Sequence, residues 1–317
     1  MRPRCACKAA STRTTPARPT STSPARSAPP RRTCTSTRSR RWRWRKVAAT
    51  LGLPVEDFLR QLKEAGLDTL PGTAAEILDD EVRDVLCPDK LDTAQWLEVI
   101  ETAHRVGFRT TATIMFGHVD QPRHWARHLL RVRALQARTG GFTEFVPLPF
   151  VHREAPIALR GRTRKGPTFR EVRLMHAIAR LVLHPLIGNI QLSWVKLGPA
   201  GARICLDGGV NDLGGTLMNE SISRAAGAQH GQEMPPEAME ALILSAGRVP
   251  RQRSTLYGEV APERHARAFG AAPLAPLVQT PPRRRDKPLR PAVAGHPTPE
   301  IPIHVESIRA KPAVVES

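Results

Sequence analysis

The sequence predicts an α/β fold in which helices alternate with parallel strands, and three observations point to this class. From residue 51 to residue 247, amphipathic helical segments alternate with short apolar segments of strand character. A glycine-rich polar run, residues 208–231, lies between an apolar strand-like segment and a helix, as site loops do in α/β barrels. A second polar segment, residues 139–152, places a strand directly before a proline-bounded loop.

The elements follow from the spacing of the apolar residues. Apolar residues at helical spacing predict helices at 54–65, 93–106, 123–138, 169–183 and 235–247. Short segments rich in β-branched and aromatic residues predict strands at 67–70, 109–116, 142–146, 189–195 and 209–213. A closed (β/α)8 barrel needs eight strands, so the sequence predicts about five of the eight, with open sheet edges.

The positive charge of the chain is confined to its two ends. The formal net charge is +19, yet residues 1–46 alone hold fourteen Arg or Lys and no acid, and the middle of the chain is near neutral. This distribution is typical of an enzyme domain and makes nucleic-acid binding by the middle segment an unfavoured reading. No apolar run approaches the length of a membrane span, so no membrane partner is expected. Five scattered cysteines make no disulfide framework, which favours a reducing, cytoplasmic location.

Several blocks of sequence occur in one order and resemble a known family. They are residues 68–76 (DTLPGTAAE), 116–120 (FGHVD), 139–152 (TGGFTEFVPLPFVH), 191–196 (QLSWVK) and the glycine-rich run. These blocks resemble the radical S-adenosylmethionine FO synthases, which make the deazaflavin precursor of coenzyme F420. More narrowly, they resemble the half that joins tyrosine to 5-amino-6-ribitylaminouracil, and the resemblance extends from about residue 51 to residue 258.

The resemblance carries expectations about fold, cofactors and partners. It implies a radical S-adenosylmethionine barrel of the (β/α)8 type, S-adenosylmethionine, a [4Fe-4S] cluster and the two substrates tyrosine and 5-amino-6-ribitylaminouracil. The other FO synthase half is an expected partner. In this reading the hydroxybenzyl group of tyrosine is transferred to the ribityl-uracil ring.

Residues 1–46 are predicted to be a non-native basic segment. In the shifted reading frame, each new codon consists of the third base of one codon and the first two bases of the next. With permitted codon choices, this frame translates the region from residue 5 onward into a string beginning C-M-Q-G-G-I-H-P-D-Y-P-G. That string looks like the family's segment upstream of residue 51, so we interpret residues 1–46 as frameshifted. Residues 47–258 are then a partial radical S-adenosylmethionine barrel, and residues 259–317, rich in proline, are predicted to be a disordered tail.

The cysteines do not match the cluster-binding pattern that the resemblance implies. Members of the family bind the cluster with a C-x3-C-x2-C triplet, because thiolates are the ligands of iron–sulfur clusters. Cys5 and Cys7 have another spacing, and Cys34, Cys87 and Cys205 are isolated. The sequence therefore predicts no metal ligands in this chain and an inactive fragment.

Candidate binding residues follow the predicted strands or lie within them. Thr73 and Glu76 would contact S-adenosylmethionine, unless Glu76 is only the acid at a helix start. His118 and Asp120 follow the next strand, with a capping Asp as the alternative. Glu144 would bind substrate, because an ionised carboxylate inside a strand is costly unless paired. The remaining substrate-binding candidates are His152, Ser193, Asn211, Asp212, Asn219 and Glu220.

Two other functions compete with the enzyme reading. A basic arm on a non-catalytic barrel piece would associate with nucleic acid and show steep salt dependence. Alternatively, a second polypeptide would supply the missing strands and complete the barrel.

Overall fold

The computed structural model describes residues 4–8, 52–72, 75–217, 222–230, 233–272 and 274. The described strands are β1 Arg4–Lys8, β2 Thr69–Leu70, β3 Arg109–Phe116, β4 Phe142–Pro149, β5 Asp212–Gly215 and β6 Val249–Arg253. The described helices are α1 Val55–Glu64, α2 Asp80–Leu86, α3 Thr93–Arg105, α4 Pro122–Thr139, α5 Pro156–Leu159, α6 Phe169–Leu183, α7 Trp194–Leu206, α8 Ile222–Ala225, α9 Pro236–Ser245 and α10 Pro262–Phe269.

All described strand pairs are parallel, and they form one continuous order. One sheet runs β2-β3-β4 and a second runs β5-β1-β6. Single parallel bridges, Phe145 with Ile190 and Gln191 with Asp212, connect the two sheets. The order is therefore β2-β3-β4, the bridge segment 190–191, then β5-β1-β6. Helices connect the successive strands, which confirms the predicted α/β class with a parallel sheet.

The five predicted helices are present, and their ends have physical causes. Thr168 accepts a hydrogen bond from the backbone N–H of Glu171, and the Glu171 side chain binds back to Thr168, forming a capping box at the start of α6. Asp92 accepts from the N–H of Gln95 and starts α3. Gly140 ends α4 in the left-handed conformation, with φ of 60°.

The main core lies between the parallel sheet and the helices packed on it. Ile114, Phe116 and Phe145 contribute from the strands, while Leu129 and Met175 contribute from α4 and α6, and all five are buried. A smaller cluster beneath α1 and α3 contains Leu59, Leu70, Ala103, Val106 and Phe108. Burial of this apolar area is the main favourable term for folding.

The predicted strand 189–195 is wrong over most of its length. Only Ile190 and Gln191 make strand-type bridges, and helix α7 begins at Trp194. The Trp194 indole N–H donates to the carbonyl of Gly215 at 2.9 Å, so the first residue of α7 is bound to the last residue of β5. The apolar residues of this segment are therefore buried at the start of a helix rather than along a strand. Short apolar runs are compatible with either element.

Seven described elements were not predicted: strands β1 and β6 and helices α2, α5, α7, α8 and α10. Strand β1 lies within the segment interpreted as frameshifted, where it pairs with both β5 and β6. Strand β6 has Pro250 in its middle, which the edge position of this strand tolerates. Helix α2 is only seven residues long, and α10 falls inside the segment predicted to be disordered. None of the described helices is long and apolar enough to cross a membrane.

Gly72 fixes the loop after β2 by close contact with β3. Its N–H donates to Thr111 Oγ1 at 2.8 Å, and Thr113 Oγ1 donates to its carbonyl at 2.8 Å. A Cβ at this position would lie 1.4 Å from the Thr111 carbonyl oxygen, so no larger residue fits without moving backbone.

We expect Gly72→Ala to lower the free energy of unfolding by at least about 2 kcal/mol, because the overlap is with backbone rather than a flexible side chain. Gly188→Ala is the matched control, since nothing lies within 4 Å of its added Cβ. Urea denaturation of both variants measures the difference. Equal stabilities would contradict the close approach of the loop to β3.

Candidate functional site

Two buried carboxylates on neighbouring positions of the sheet form the centre of the candidate site. Glu144 is the third residue of β4 and lies opposite Thr111 of β3. Asp212 is the first residue of β5 and is bridged to Gln191. Because successive side chains of a strand alternate between faces, Glu144 points away from the helix-side core that Phe145 enters. Glu144 is 4 % exposed and Asp212 is fully buried.

Arg253 and Tyr257 bind both carboxylates. The Arg253 Nη2 donates to Glu144 Oε2 at 2.9 Å and to Asp212 Oδ2, and it lies 3.4 Å from Gln191 Oε1. Tyr257 Oη lies 2.5 Å from Glu144 Oε2 and also contacts Asp212 Oδ2. The guanidinium carbon of Arg253 stacks 3.8 Å from the centre of the Tyr257 ring. We call these four residues, with Gln191, the carboxylate cluster.

Burial sets the charge balance of the carboxylate cluster. Loss of water around Asp212 raises its pKa, and this effect outweighs the attraction of Arg253. Burial alone would lower the pKa of Arg253, but the carboxylates of Asp212 and Glu144 outweigh this effect and raise the pKa. The pKa of Tyr257 is raised far above its usual range by burial and by the two carboxylates, so its phenol stays neutral.

The cluster lies in the first half of the strands rather than at their carboxyl ends. Glu144 is followed by five further residues of β4, and Asp212 by three of β5. Chemistry in α/β barrels takes place at the carboxyl ends of the strands, whereas the opposite half serves stability. The geometry therefore favours internal support of the sheet by Glu144 and Asp212 over direct ligand contact.

Glu76 lies at the carboxyl end of β2 and is held by an unpredicted lysine. Its carboxylate is buried and binds Lys90 Nζ at 2.7 Å, while its carbonyl accepts from the Met115 N–H of β3 at 2.8 Å. Its φ of 45° is in the left-handed region, which a non-glycine residue adopts only when its surroundings hold it there. This is the backbone strain that functional loops often carry.

His118 and Asp120 form a compact turn at the carboxyl end of β3. The Asp120 carboxylate accepts from the N–H groups of Gly117 and His118 and from the Trp125 indole. Burial alone would raise the pKa of Asp120, but these donors and His118 lower it, so the carboxylate is ionised. The His118 Nδ1 accepts from the Val119 N–H at 2.8 Å. Both side chains serve the turn, but Asp120 does not cap the helix that follows, because the N-cap of α4 is Gln121.

The other predicted residues do not gather around the carboxylate cluster as one group. Asn211 points away from Asp212: its Oδ1 accepts from the Ile190 N–H at 2.9 Å and from Arg180 of α6 at 2.6 Å. Ser193 directly precedes α7 and makes no capping bond, and His152 follows β4 in a half-buried position. Thr73, Asn219 and Glu220 lie outside the described residues.

Two cysteines whose side chains the structure describes, Cys87 and Cys205, do not fit an iron–sulfur cluster. Cys87 and Cys205 are free and buried, and burial raises the pKa of both thiols, that of Cys205 to about 11. The ligands of iron–sulfur clusters are thiolates, and burial of these two thiols disfavours the thiolate form. Within the described ranges, the one group of three metal-binding side chains is Asp79, Glu81 and His124, and it includes no cysteine.

Arginine side chains already form ion pairs with the carboxylates of the Asp79, Glu81 and His124 group. Arg127 lies 3.2 Å from Asp79 and 3.0 Å from Glu81, and Arg123 lies 3.1 Å from Glu81. Hydrogen bonds from these partners lower the pKa of Glu81 to about 2. A cation entering this group would meet positive charge that already neutralises the carboxylates.

Sequence reasoning missed Arg253, Tyr257, Gln191 and Lys90. One signal was available for the first two: a carboxylate inside a strand requires a cation, and the single tyrosine of the chain follows Arg253 by four residues. Nothing in the sequence pairs Lys90 with Glu76, because their contact depends on how α2 returns the chain to the end of β2.

We expect Arg253→Met to cost about 3–5 kcal/mol of unfolding free energy, because it leaves two buried carboxylates without their cation. The matched control is Arg251→Met in the same strand, where an exposed pair with Glu259 contributes about 1 kcal/mol or less. Denaturant midpoints measure both variants. A loss no larger than that of the control would contradict the central role of Arg253.

Four histidines on the helices and at the end of β3 stay neutral in the folded chain. Burial lowers the pKa of His128 to about 3 and those of His104 and His176 to about 4, and it also lowers that of His118. The unfolded chain binds a proton at each of these residues near pH 6.5, so stability is present above that pH and is lost as pH falls.

Lowering the pH from about 7 to about 5 should reduce the free energy of unfolding of both chains. We expect this reduction to be about 2 kcal/mol smaller in His176→Leu than in the unmodified chain. His176 is buried, and its Nε2 has no partner in the structure. His265→Leu, at an exposed position, is the control. Denaturation at a series of pH values tests this, and parallel curves for all three chains would overturn the assignment.

Two known protein families match consecutive parts of this chain. Residues 29–132 match the radical SAM superfamily, and residues 139–265 match the CofH/MqnC C-terminal region. The first match begins within the segment interpreted as frameshifted. The second contains Glu144, Asp212, Arg253 and Tyr257.

Individual curated proteins are more than half identical to this chain over about 210 residues. An FO synthase of Nocardia farcinica is 58 % identical over 209 residues, which is 66 % of this chain and 24 % of that protein. The 5-amino-6-(D-ribitylamino)uracil--L-tyrosine 4-hydroxyphenyl transferase of Methanopyrus kandleri is 54 % identical over 213 residues, covering 67 % of this chain and 58 % of that protein. The chain thus spans about a quarter of the FO synthases and rather more than half of the transferase.

Among solved structures, the [FeFe]-hydrogenase maturase HydG aligns with a TM-score of 0.49 at 15 % identity, covering 67 % of this chain and 45 % of that one. The family assignment rests on the sequence matches, which cover most of the described residues and follow the chain from β2 to α10. The chain belongs to the radical S-adenosylmethionine FO synthase family.

Proposed function

We propose that this chain is the substrate-side part of an FO synthase-type transferase in the formation of the deazaflavin precursor of coenzyme F420. The observation that carries the proposal is the match of residues 139–265 to the CofH/MqnC C-terminal region, which contains the whole β4–β6 part of the sheet. The 54 % identity to a transferase named for 5-amino-6-(D-ribitylamino)uracil and L-tyrosine supports the same conclusion.

In this proposal the substrates are tyrosine and 5-amino-6-ribitylaminouracil, and the hydroxybenzyl group of tyrosine moves to the uracil compound. The residues of this chain hold the two molecules in reach of one another and exclude water, which is the usual contribution of a protein to radical chemistry. The other FO synthase half supplies the partner activity. No described feature favours nucleic acid as a ligand of the folded part.

The loops at the carboxyl ends of β2 and β3 are the proposed contacts for S-adenosylmethionine. Glu76 is held there in a strained conformation by Lys90, with Met115 bound to its carbonyl. His118 and Asp120 shape the adjacent turn. Glu144 and Asp212 are assigned to the support of these loops from below, because Arg253 and Tyr257 occupy their carboxylate oxygens.

We further propose that the chain as given does not bind the [4Fe-4S] cluster by itself. When bound, that cluster supplies the electron that cleaves S-adenosylmethionine in this superfamily. The sequence contains no C-x3-C-x2-C triplet, and Cys87 and Cys205 are buried thiols with raised pKa values on separate elements. A frameshift across residues 1–46 accounts for the missing triplet, and the chain is then an inactive fragment.

The test compares this chain with a corrected chain in which residues 1–46 and the codons upstream are translated in the alternative frame. Both are reconstituted without oxygen using iron and sulfide, and iron per chain is measured. We expect about four irons per corrected chain and almost none in the chain as given, because only thiolate triplets retain the cluster.

Product formation from tyrosine, 5-amino-6-ribitylaminouracil and S-adenosylmethionine is then assayed by mass spectrometry. Adduct formation by the corrected chain alone supports both proposals. Iron loading and turnover by the chain as given would overturn the fragment proposal. A corrected chain that loads iron but forms no adduct would overturn the transferase assignment.

A further inference from the structure

The segment from the end of β4 to the first turn of α6 carries a local excess of positive charge. Residues 153–173 contain seven Arg or Lys and two acids, although the middle of the chain as a whole is near neutral. Two large apolar side chains of this segment are exposed, Leu159 by 66 % and Phe169 by 41 %. Together with four exposed cations they form the surface that we call the arginine face: Arg160, Arg162, Lys165, Arg170, Leu159 and Phe169.

The four cations of the arginine face are not neutralised by nearby acids. Within the part of the chain that the structure describes, their side chains make no hydrogen bond and no ion pair. Two exposed arginines on other helices are paired instead, Arg60 with Glu56 and Arg138 with Glu101. Because clustered like charges repel one another, the arginine face is electrostatically unfavourable by itself and attracts a negatively charged partner.

The loop that carries these cations is held in one conformation. Arg164 turns inward, where its Nη1 donates to Glu171 Oε1 at 2.7 Å and its backbone N–H donates to the His118 carbonyl at 3.1 Å. Gly166 has φ of 88° and lies so close to Phe150 that an added Cβ would be 2.7 Å from the Phe150 carbonyl oxygen. These contacts fix the loop against the carboxyl ends of β3 and β4. A surface that is already ordered loses less conformational entropy when it binds.

The side chains of the arginine face suit a protein surface that carries carboxylates. A guanidinium pairs with a carboxylate through two parallel hydrogen bonds, and Arg and Phe are enriched in protein interfaces, whereas Lys is depleted. Leu159 needs an apolar partner when it is covered, and a phosphate backbone offers none. Bases of single-stranded nucleic acid stack on successive aromatic side chains, but Phe169 is the one aromatic residue of this face. These features favour an acidic protein over a nucleic acid.

We propose that the arginine face is a docking surface for an acidic protein segment that presents carboxylates around an apolar side chain. The carboxylates pair with the four cations, and the apolar side chain covers Leu159. Because Arg164 and Gly166 tie the loop to β3 and β4, the docked segment lies at the same end of the strands as Glu76 and His118. The inference rests on the charge and exposure of this loop and does not depend on the proposed transferase activity.

The probe is a fluorescent synthetic helical peptide in which glutamates flank a stripe of leucines, with a matched peptide that has alanines in place of the leucines. Fluorescence anisotropy measures the binding of each peptide to the full chain. We expect the leucine peptide to bind more tightly than the alanine peptide, and both to weaken as salt is added, because salt screens exposed charges. Coupling with a carbodiimide, which joins a lysine amine to a carboxylate, should link the leucine peptide to Lys165. This arm needs no variant, and mass spectrometry locates the linked lysine.

Reversing two charges of the arginine face, in the double variant Arg160→Glu and Arg162→Glu, should weaken binding of the leucine peptide about tenfold or more. The matched control reverses two exposed cations of α10, in the double variant Arg264→Glu and Arg267→Glu, and should bind the peptide like the unmodified chain. Thermal unfolding of both variants should match that of the unmodified chain, since all four substituted side chains are exposed.

Four outcomes would overturn the proposal. Equal weakening in the two double variants would assign the binding to the overall charge of the chain, including its basic ends, and absence of the link at Lys165 would place the peptide elsewhere. Equal affinities for the leucine and alanine peptides would remove the apolar contact that distinguishes a protein partner. Displacement of the leucine peptide by a lower concentration of single-stranded RNA or of phosphatidylserine vesicles would assign the surface to that ligand instead.

Discussion

The contact of one guanidinium with two buried carboxylates is the interaction on which the parallel sheet depends. Arg253 comes from β6, the last described strand, Asp212 comes from β5, which is separated from β6 by β1, and Glu144 comes from β4 on the far side of the bridge segment. Because β1 and β6 continue the sheet beyond β5, this contact reaches across several strands and closes the inner side of the sheet. Without the cation, either carboxylate alone would oppose folding.

Tyr257 contacts all three charged groups of this interaction. Its ring stacks on the guanidinium and its oxygen meets both carboxylates, so the residue covers the cluster from one side. Its φ of 64° shows that the turn after β6 is held in the left-handed region to bring the ring into place. A strained turn, a buried cation and two buried carboxylates are thus parts of one arrangement, each of which is unfavourable without the others.

The opposite ends of the strands have a different character. There Gly72 approaches β3 closely, Glu76 is held in the left-handed region by Lys90, and Asp120 ties three donors into a turn. These contacts fix loops, whereas the carboxylate cluster fixes the sheet. The family matches extend over strands β2 to β6 except β1, and a rigid lower sheet of this kind supports the loops above it.

The sequence alone determined the α/β class, the five long helices and the strands around β3 and β4, because apolar periodicity over eight or more residues leaves one reading. It could not determine that Trp194 starts a helix, since that depends on a hydrogen bond to Gly215. It identified Glu144 as a carboxylate that needs a partner. Only the tertiary structure decided that the partner is Arg253, 109 residues later, because pairing across a parallel sheet brings together residues that no local pattern relates.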